Sequence, residues 1–150
     1  MNKLNLPVYT FRISKKEKDK LLIFDVFRRK YVSLTPEEWV RQNILQYLVT
    51  EKNVPKSLIS SEAGVRINTL KRRFDALIYN RNGEPWMLVE CKAPSITINQ
   101  DTFDQIVAYN NSIKAKYLLI TNGLKHYCCR MDTSTKKSVF VQDIPNFTIA

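Results

Sequence analysis

The sequence predicts an α/β fold, a mixed β-sheet flanked by α-helices, and two observations carry that prediction. The first is the segment Phe74 to Lys92, two apolar-rich runs separated by Asn82-Gly83. Its alternating side chains make both faces apolar, with Leu77, Tyr79 and Leu88 on one and Ala76, Ile78, Met87, Val89 and Cys91 on the other. A hairpin apolar on both sides needs cover on both sides. The second is the order of elements: a front hairpin, a helix, a run of three strands, a second helix and closing strands. Helices packed on a mixed sheet are the simplest way to bury both faces of the central hairpin. At 150 residues and 44% hydrophobic content the chain fits one domain, residues 1–150, with a real core. We read 1–30 as an N-terminal β-hairpin extension and 31–143 as the core.

The elements follow in order. Val8 to Ile13 and Leu21 to Phe27 read as strands around the charged turn Ser14 to Lys20, with Arg28, Arg29 and Lys30 after them. Thr35-Pro36-Glu37-Glu38 then starts a helix, with a threonine cap, proline at the first helical position and glutamate three residues after the cap. Trp39, Val40, Ile44, Tyr47 and Leu48 recur near helical spacing and form its packing side. The helix should fade around Lys52 to Pro55. Ser57 to Ile67 is expected to be a strand or strand pair broken near Gly64. The strands Phe74 to Tyr79 and Trp86 to Lys92 come next. Asp101 to Ile113 forms the second helix, packing through Phe103, Ile106, Val107 and Ile113. Tyr117 to Thr121 is a short apolar strand ended by Asn122-Gly123. His126 to Met131 and Ser138 to Val141 close the fold around a turn at Asp132 to Lys137.

The central hairpin carries an electrostatic problem. With Asn82-Gly83 as a two-residue type I′ loop, paired residues sum to 165, so Tyr79 faces Trp86, Leu77 faces Leu88, and Asp75 faces Glu90. Lys92 shares the Glu90 face. Like charges directly opposed destabilise a sheet. Two carboxylates in an apolar interior must keep a proton, pair with a cation or bind a metal. A hard divalent ion such as Mg²⁺, held by one or two carboxylates and several waters, suits that arrangement.

Composition narrows the function classes. A formal charge of +10, from 24 Lys and Arg against 14 Asp and Glu, favours a polyanionic partner such as nucleic acid, although a merely solvated lysine-rich face would give the same count. Cys91, Cys128 and Cys129 are odd in number and have no C-x-x-C spacing, so neither a disulfide framework nor a zinc site is indicated. That usage fits a reducing compartment. No apolar run reaches membrane-spanning length and no signal-peptide core stands at the N-terminus, so the expectation is a soluble, cytoplasmic protein with no membrane partner.

Asp75, a fourteen-residue gap and then Glu90-x-Lys92 resemble the active-site signature of the PD-(D/E)XK nuclease superfamily, with Phe74 where that signature has proline. The surrounding text is more specific. LTPEEWVRQ from Leu34, KRRFDALIY from Lys71, LVECKAP from Leu88, Gln105-x-x-x-Tyr109 in FDQIVAYN, and YLLITNGLKHY from Tyr117 together resemble the N-terminal nuclease domain of type I restriction enzyme R subunits. The resemblance runs from about Tyr31 to Arg130 and implies a restriction-endonuclease-like fold.

What the resemblance implies is a Mg²⁺-dependent endonuclease, with Mn²⁺ as an alternative metal, that hydrolyses phosphodiester bonds of DNA. Asp75 and Glu90 would bind the metal, with the carbonyl of Cys91 completing the coordination. Lys92 would orient or help deprotonate the attacking water. Those roles agree with the chemistry, which needs a hydroxide-like nucleophile and neutralisation of a pentacovalent anion. Gln105 and Tyr109, four apart, face the same way on one helix, and the resemblance implies that they support the site; the competing reading is a half-buried helix position.

Glu38 is implied as an extension of the metal shell, and equally reads as the partner of Thr35 in a capping box. Glu37 reads as solvated, and Glu62 is a further acidic candidate. Arg66, Lys71, Arg72 and Arg73 precede Asp75, where they would contact phosphates near the cut or form a solvated strand edge. Thr121-Asn122-Gly123 reads as a turn and His126, the only histidine, as structural. No G-x-x-x-x-G-K-[ST] is present, so the ATP-driven translocase of a full R subunit is expected to be absent from this chain and the nuclease domain to stand alone. Beyond DNA, the implied partners are a second copy or a larger restriction assembly. Two other readings stand beside nuclease activity. One is a nucleic-acid-binding module that cuts weakly or not at all within a restriction or repair assembly. The other is a structural domain whose Asp75 and Glu90 pair with Arg or Lys.

Overall fold

The computed structural model describes every residue except 63, 68, 69, 133, 136, 149 and 150; side chains at 65–67 and 70–72 also fall outside the described set. Its centre is a six-stranded mixed sheet. The strands involved are β4 (Ile59–Ser61), β7 (Ala76–Tyr79), β8 (Pro85–Cys91), β9 (Tyr117–Thr121), β10 (His126–Asp132) and β11 (Lys137–Val141), in the order β11-β10-β9-β8-β7-β4. Only the β8–β9 pair is parallel. Parallel neighbours need a crossover, and helix α2 (Gln100–Ile113) supplies it. Helix α1 (Pro36–Glu51) covers the opposite face.

The period-two alternation of the central strands divides the core as the sequence predicts. Ala76, Ile78, Met87, Val89, Cys91 and Leu119 join Val40, Ile44, Leu45 and Leu48 of α1. Leu77, Leu88, Leu118 and Ile120 join Phe103, Ile106 and Ile113 of α2. Fully burying each such side chain contributes about 1.5–3 kcal/mol, so both helices are fixed to the sheet mainly by this burial. Leu4 and Phe147, from outside 31–143, also enter the α1-side cluster.

Both helices start where their caps place them. Thr35 accepts a hydrogen bond from the Glu38 backbone N–H at 3.0 Å, with Pro36 in the first turn. Asn99 does the same for Thr102 at 2.9 Å, one residue earlier than the expected start at Asp101.

The N-terminal region differs from the expected hairpin. Pairing begins at Ile13, not Val8, in β1 (Ile13–Lys15), and a third strand, β3 (Lys30–Ser33), follows β2 (Leu21–Asp25) in a sheet of order β1-β2-β3. The β2–β3 turn is closed by Asp25, whose Oδ1 accepts from the backbone N–H groups of Phe27 and Arg28 at 2.8 and 3.1 Å. The stretch between α1 and β7 holds three strands: β4 joins the main sheet, and β5 (Gly64–Ile67) and the unexpected β6 (Leu70–Arg73) form a separate ribbon.

The β7–β8 register holds from Ala76↔Val89 to Ile78↔Met87, but the loop is not a two-residue type I′ turn. A bulge at Ile78/Tyr79 puts Tyr79 opposite Pro85, not Trp86. Asn80 causes the change. Its side-chain oxygen accepts from the backbone N–H groups of Asn82 and Glu84, both at 2.9 Å, and its carbonyl accepts from Gly83 at 3.0 Å. Only Gly83, at φ +79°, takes the left-handed conformation; Asn82 does not, as a type I′ turn would require. Replacing Asn80 by alanine should therefore cost about 1–2 kcal/mol in urea unfolding, two modest hydrogen bonds' worth. Asn82→Ala should cost less than about 0.5 kcal/mol; the reverse order would restore the two-residue loop.

Candidate active site

Three adjacent strand ends bring acidic residues to one edge of the sheet. Ser61 of β4 pairs with Ala76, and the Glu62 N–H donates to the Asp75 carbonyl at 2.8 Å, so Glu62 and Asp75 are neighbours. Ala76 pairs with Val89, which places Asp75 beside Glu90. Glu90 pairs with Ile120 and Cys91 with Thr121, and the Lys92 N–H donates to the Thr121 carbonyl at 2.8 Å. The site thus lies outside the carboxyl ends of the parallel pair β8–β9, where open α/β sheets bind ligands.

Asp75 is 5% exposed, and each of its carboxylate oxygens has a partner. Oδ2 accepts from the Cys91 N–H at 2.7 Å, and Oδ1 pairs with Arg41 Nη2 at 2.9 Å. Glu90, half-buried beside it, is pushed up to about 9 by burial, by hydrogen bonding to Asp75 and by the Asp75 charge, with Lys92 opposing. The predicted clash is therefore answered in two ways: one carboxylate pairs with a cation and its neighbour keeps a proton. Cys91 is 1% exposed and its thiol belongs to the core, held well above its ordinary pKa by burial. Only its backbone faces this chemistry.

Behind Asp75 lies an ionic network. Arg28, raised by its partners despite burial, reaches Asp25, Glu38 Oε1 at 2.7 Å and Glu62 Oε2 at 2.9 Å. Arg41 Nη1 lies 3.3 Å from Glu62 Oε1 and 3.7 Å from Glu38 Oε1. Burial works against the charged forms of Asp25 and Glu62. Arg28, with backbone N–H groups for Asp25 and with Arg41 for Glu62, outweighs it and holds both carboxyls below their ordinary values.

This network engages Glu38. Its carboxylate serves Arg28 and accepts from Gln42 Nε2 at 3.0 Å, while the Thr35 N–H donates to Ser33, so the reciprocal half of a capping box is not made. Nor does Glu38 join the carboxylate pair. Its neighbour Glu37 feels the Asp75 charge instead. Glu37, read as solvated, is exposed, yet its carboxyl is raised by burial and by Asp75, with Lys92 and Arg41 opposing. The missed signal was Arg41, which lies four residues after Glu37 and so on its side of the helix.

The other candidates separate. Gln105 Nε2 donates to Tyr109 Oη at 3.0 Å on the outward side of α2, and the Tyr109 ring packs edge-on against Phe74, next to Asp75, at 6.0 Å. Arg73 is exposed, 3.9 Å from Glu62. The side chains of Arg66, Lys71 and Arg72 lie outside the described residues, although their backbone forms the β5–β6 ribbon. His126 is structural as expected, bridging Thr121 Oγ1 and the Asn5 carbonyl at 2.7 and 2.9 Å. Asn122 closes its turn by accepting from Leu124 and Lys125 and donates to the Ile96 carbonyl, pinning the loop after Lys92. Among the described residues, no group of three or more His, Cys, Asp or Glu forms a metal cluster, and no helix is long and apolar enough to cross a membrane.

The sheet and its edge define a restriction-endonuclease-like α/β domain. A structure described as a fragment of an HsdR subunit of a type I restriction enzyme from Vibrio vulnificus YJ016 aligns with TM-score 0.51 at 19% identity, over 75% of this chain and 24% of that one. The chain thus spans about a quarter of that structure's length, and at this identity the likeness is one of fold. Comparison with curated proteins finds no match. The chain belongs to the family of type I restriction enzyme R protein N termini (HSDR_N), whose model matches residues 36–145.

Two outcomes test this electrostatic picture. Arg28→Met leaves Asp25 and Glu38 buried without their main cation and should cost about 3–5 kcal/mol in chemical denaturation, whereas Arg73→Ala should change stability by less than about 0.5 kcal/mol. For Glu90, the folded value lies above that of an unfolded glutamate. The folded state therefore holds a proton that the unfolded state releases, and metal-free stability falls as pH rises from 4.5 toward about 9. Glu90→Gln should raise the melting temperature at about pH 8 without divalent ions, with the gain shrinking toward about pH 5; a lower melting temperature at the upper pH would contradict it.

Proposed function

We propose that this chain is the nuclease component of a restriction system, a Mg²⁺-dependent endonuclease hydrolysing phosphodiester bonds of DNA. The observation that carries the reading is the convergence of Asp75 and Glu90, with Lys92 in the same field, at the carboxyl end of the parallel strand pair. The residues present fit a hard divalent ion. Burial and the Asp75 charge push the Glu90 carboxyl up, with Lys92 opposing, and a second negative charge held there suits an ion that is bound by one or two carboxylates and keeps several waters. Asp75, Glu90 and the Cys91 carbonyl would hold Mg²⁺, or Mn²⁺ in its place, with Glu37 near enough to bear on its charge. When bound, the ion supplies a more acidic water and neutralises charge on the phosphate.

The chain's own residues do the rest. The Cys91 N–H fixes the rotation of the Asp75 carboxylate. Lys92, a compact ammonium, orients the attacking water and stabilises the charge that develops on the phosphoryl oxygens. Gln105 and Tyr109, braced through Phe74, supply a polar pair at the flank of the site. The basic ribbon carrying Arg66, Lys71, Arg72 and Arg73 would meet the flanking phosphates, and the overall charge of +10 favours the same partner. A larger restriction assembly is the natural setting, since type I R proteins supply the family's name. Cytoplasmic residence, where such an assembly would meet DNA, follows from the same reading.

The test is cleavage of plasmid DNA with and without Mg²⁺, alongside Asp75→Ala and Lys92→Ala. Both variants should fold and lose at least about 10²-fold in rate, the typical effect of removing one electrostatic stabiliser. Cleavage retained by Asp75→Ala in a clean preparation would refute the assignment. Salt-sensitive DNA binding with no Mg²⁺-dependent cutting by the wild type would favour the binding-module reading instead.

A further inference from the structure

Both oxygens of Asp75 are already engaged in the metal-free chain. Oδ2 is held by the Cys91 N–H at 2.7 Å inside the sheet, and the remaining oxygen, Oδ1, pairs with Arg41 Nη2 at 2.9 Å. A guanidinium therefore stands where the proposed site needs a divalent cation. Arg41 is 8% exposed, so it cannot simply swing into water. It does have somewhere to go. Glu62 Oε1 and Glu38 Oε1 lie 3.3 and 3.7 Å from Nη1, at ion-pair distance but without the alignment of a hydrogen bond, and the buried Nε has no hydrogen-bond partner among the described residues. The guanidinium is thus fully engaged at one nitrogen and under-used at two. Across the network, the four carboxylates of Asp25, Glu38, Glu62 and Asp75 share the two buried arginines Arg28 and Arg41, with exposed Arg73 at 3.9 Å from Glu62, so buried cations are fewer than the carboxylates they serve.

Resting on the metal-binding reading above, we infer that Arg41 is a positioning residue that holds the cation place on Asp75 Oδ1 and yields it on metal binding, its guanidinium passing to Glu62 and Glu38. The Arg41 pairing keeps the Asp75 carboxylate correctly rotated while metal is absent. It also makes the second acidic residue of the edge, Glu62, an acceptor for the displaced arginine and not a metal ligand.

The experiment is calorimetric titration of Mn²⁺ into the full metal-free chain, as wild type, Arg41→Met and Glu62→Gln, each checked for folding by circular dichroism. With its competitor gone, Arg41→Met should bind Mn²⁺ at least about fivefold tighter, the lower end of ordinary coupling between sites. Glu62→Gln, which removes the acceptor, should bind more weakly by a similar factor. A purely structural arginine predicts the opposite for Arg41→Met, because a misplaced Asp75 would lose affinity. Should that variant fail to fold, the wild type still decides the matter through the Arg41 Nε–H resonance in a ¹⁵N spectrum. That resonance should shift as Mg²⁺ saturates the site and stay fixed in Asp75→Asn. Metal bound with the Arg41 resonance unmoved, or with unchanged or weaker affinity in folded Arg41→Met, overturns the exchange alone. No metal binding by the wild type overturns the metal reading itself.

Discussion

Two buried arginines, Arg28 and Arg41, hold this structure's acidic residues in place. Asp25 closes the turn between the N-terminal strands, Glu38 stands in the first turn of α1, and Glu62 and Asp75 end neighbouring strands of the main sheet. Each is placed by a different local rule, yet all meet on the same two guanidinium groups. Isolated buried charges would cost several kcal/mol apiece, so the arrangement persists only because each carboxylate finds a partner. The network ties the N-terminal sheet and the first helix to the sheet edge that carries Asp75 and Glu90.

The same constraint explains the division of labour at that edge. Asp75 is paired with Arg41 and the Cys91 N–H, whereas burial and the Asp75 charge push the Glu90 carboxyl up, with Lys92 opposing. The proposed metal would relieve that repulsion, and its binding would be coupled to loss of a proton from the pair. The parallel β8–β9 pair orients the whole set. It carries Glu90, Cys91 and Lys92 out of the sheet beside Thr121, and the antiparallel β7 enters at the same end, so Asp75 arrives there too.

Much of this was legible in the sequence because it depends on short-range rules. Thr35-Pro36 and the 3.6 period set α1, and strict alternation assigned Ala76, Ile78, Met87 and Val89 to one helix and Leu77 and Leu88 to the other. The Asp75–Glu90 juxtaposition survived a wrong turn type because the Asn80 side chain and the bulge at Tyr79 absorb the change in loop length before the strand centre is reached. What was illegible depends on distant partners. Arg28 reads only as the first of three basic residues in a row, and nothing nearby reveals that it will pair with Glu38 and Glu62. The choice between Glu37 and Glu38 likewise turns on one residue of helix rotation, which was decided by Arg28 claiming Glu38. The strand β3 escaped notice because its burial is slight and its pairing, not its composition, makes it a strand.

The most direct measurement is a crystal structure of the chain grown with Mn²⁺ and examined for anomalous scattering. The account predicts one strong peak between the carboxylates of Asp75 and Glu90, on the Lys92 side of the sheet edge. A peak at Glu38 or Glu62 with none at Asp75, or an ion-free edge with Arg41 still paired to Asp75 at saturating Mn²⁺, would contradict it.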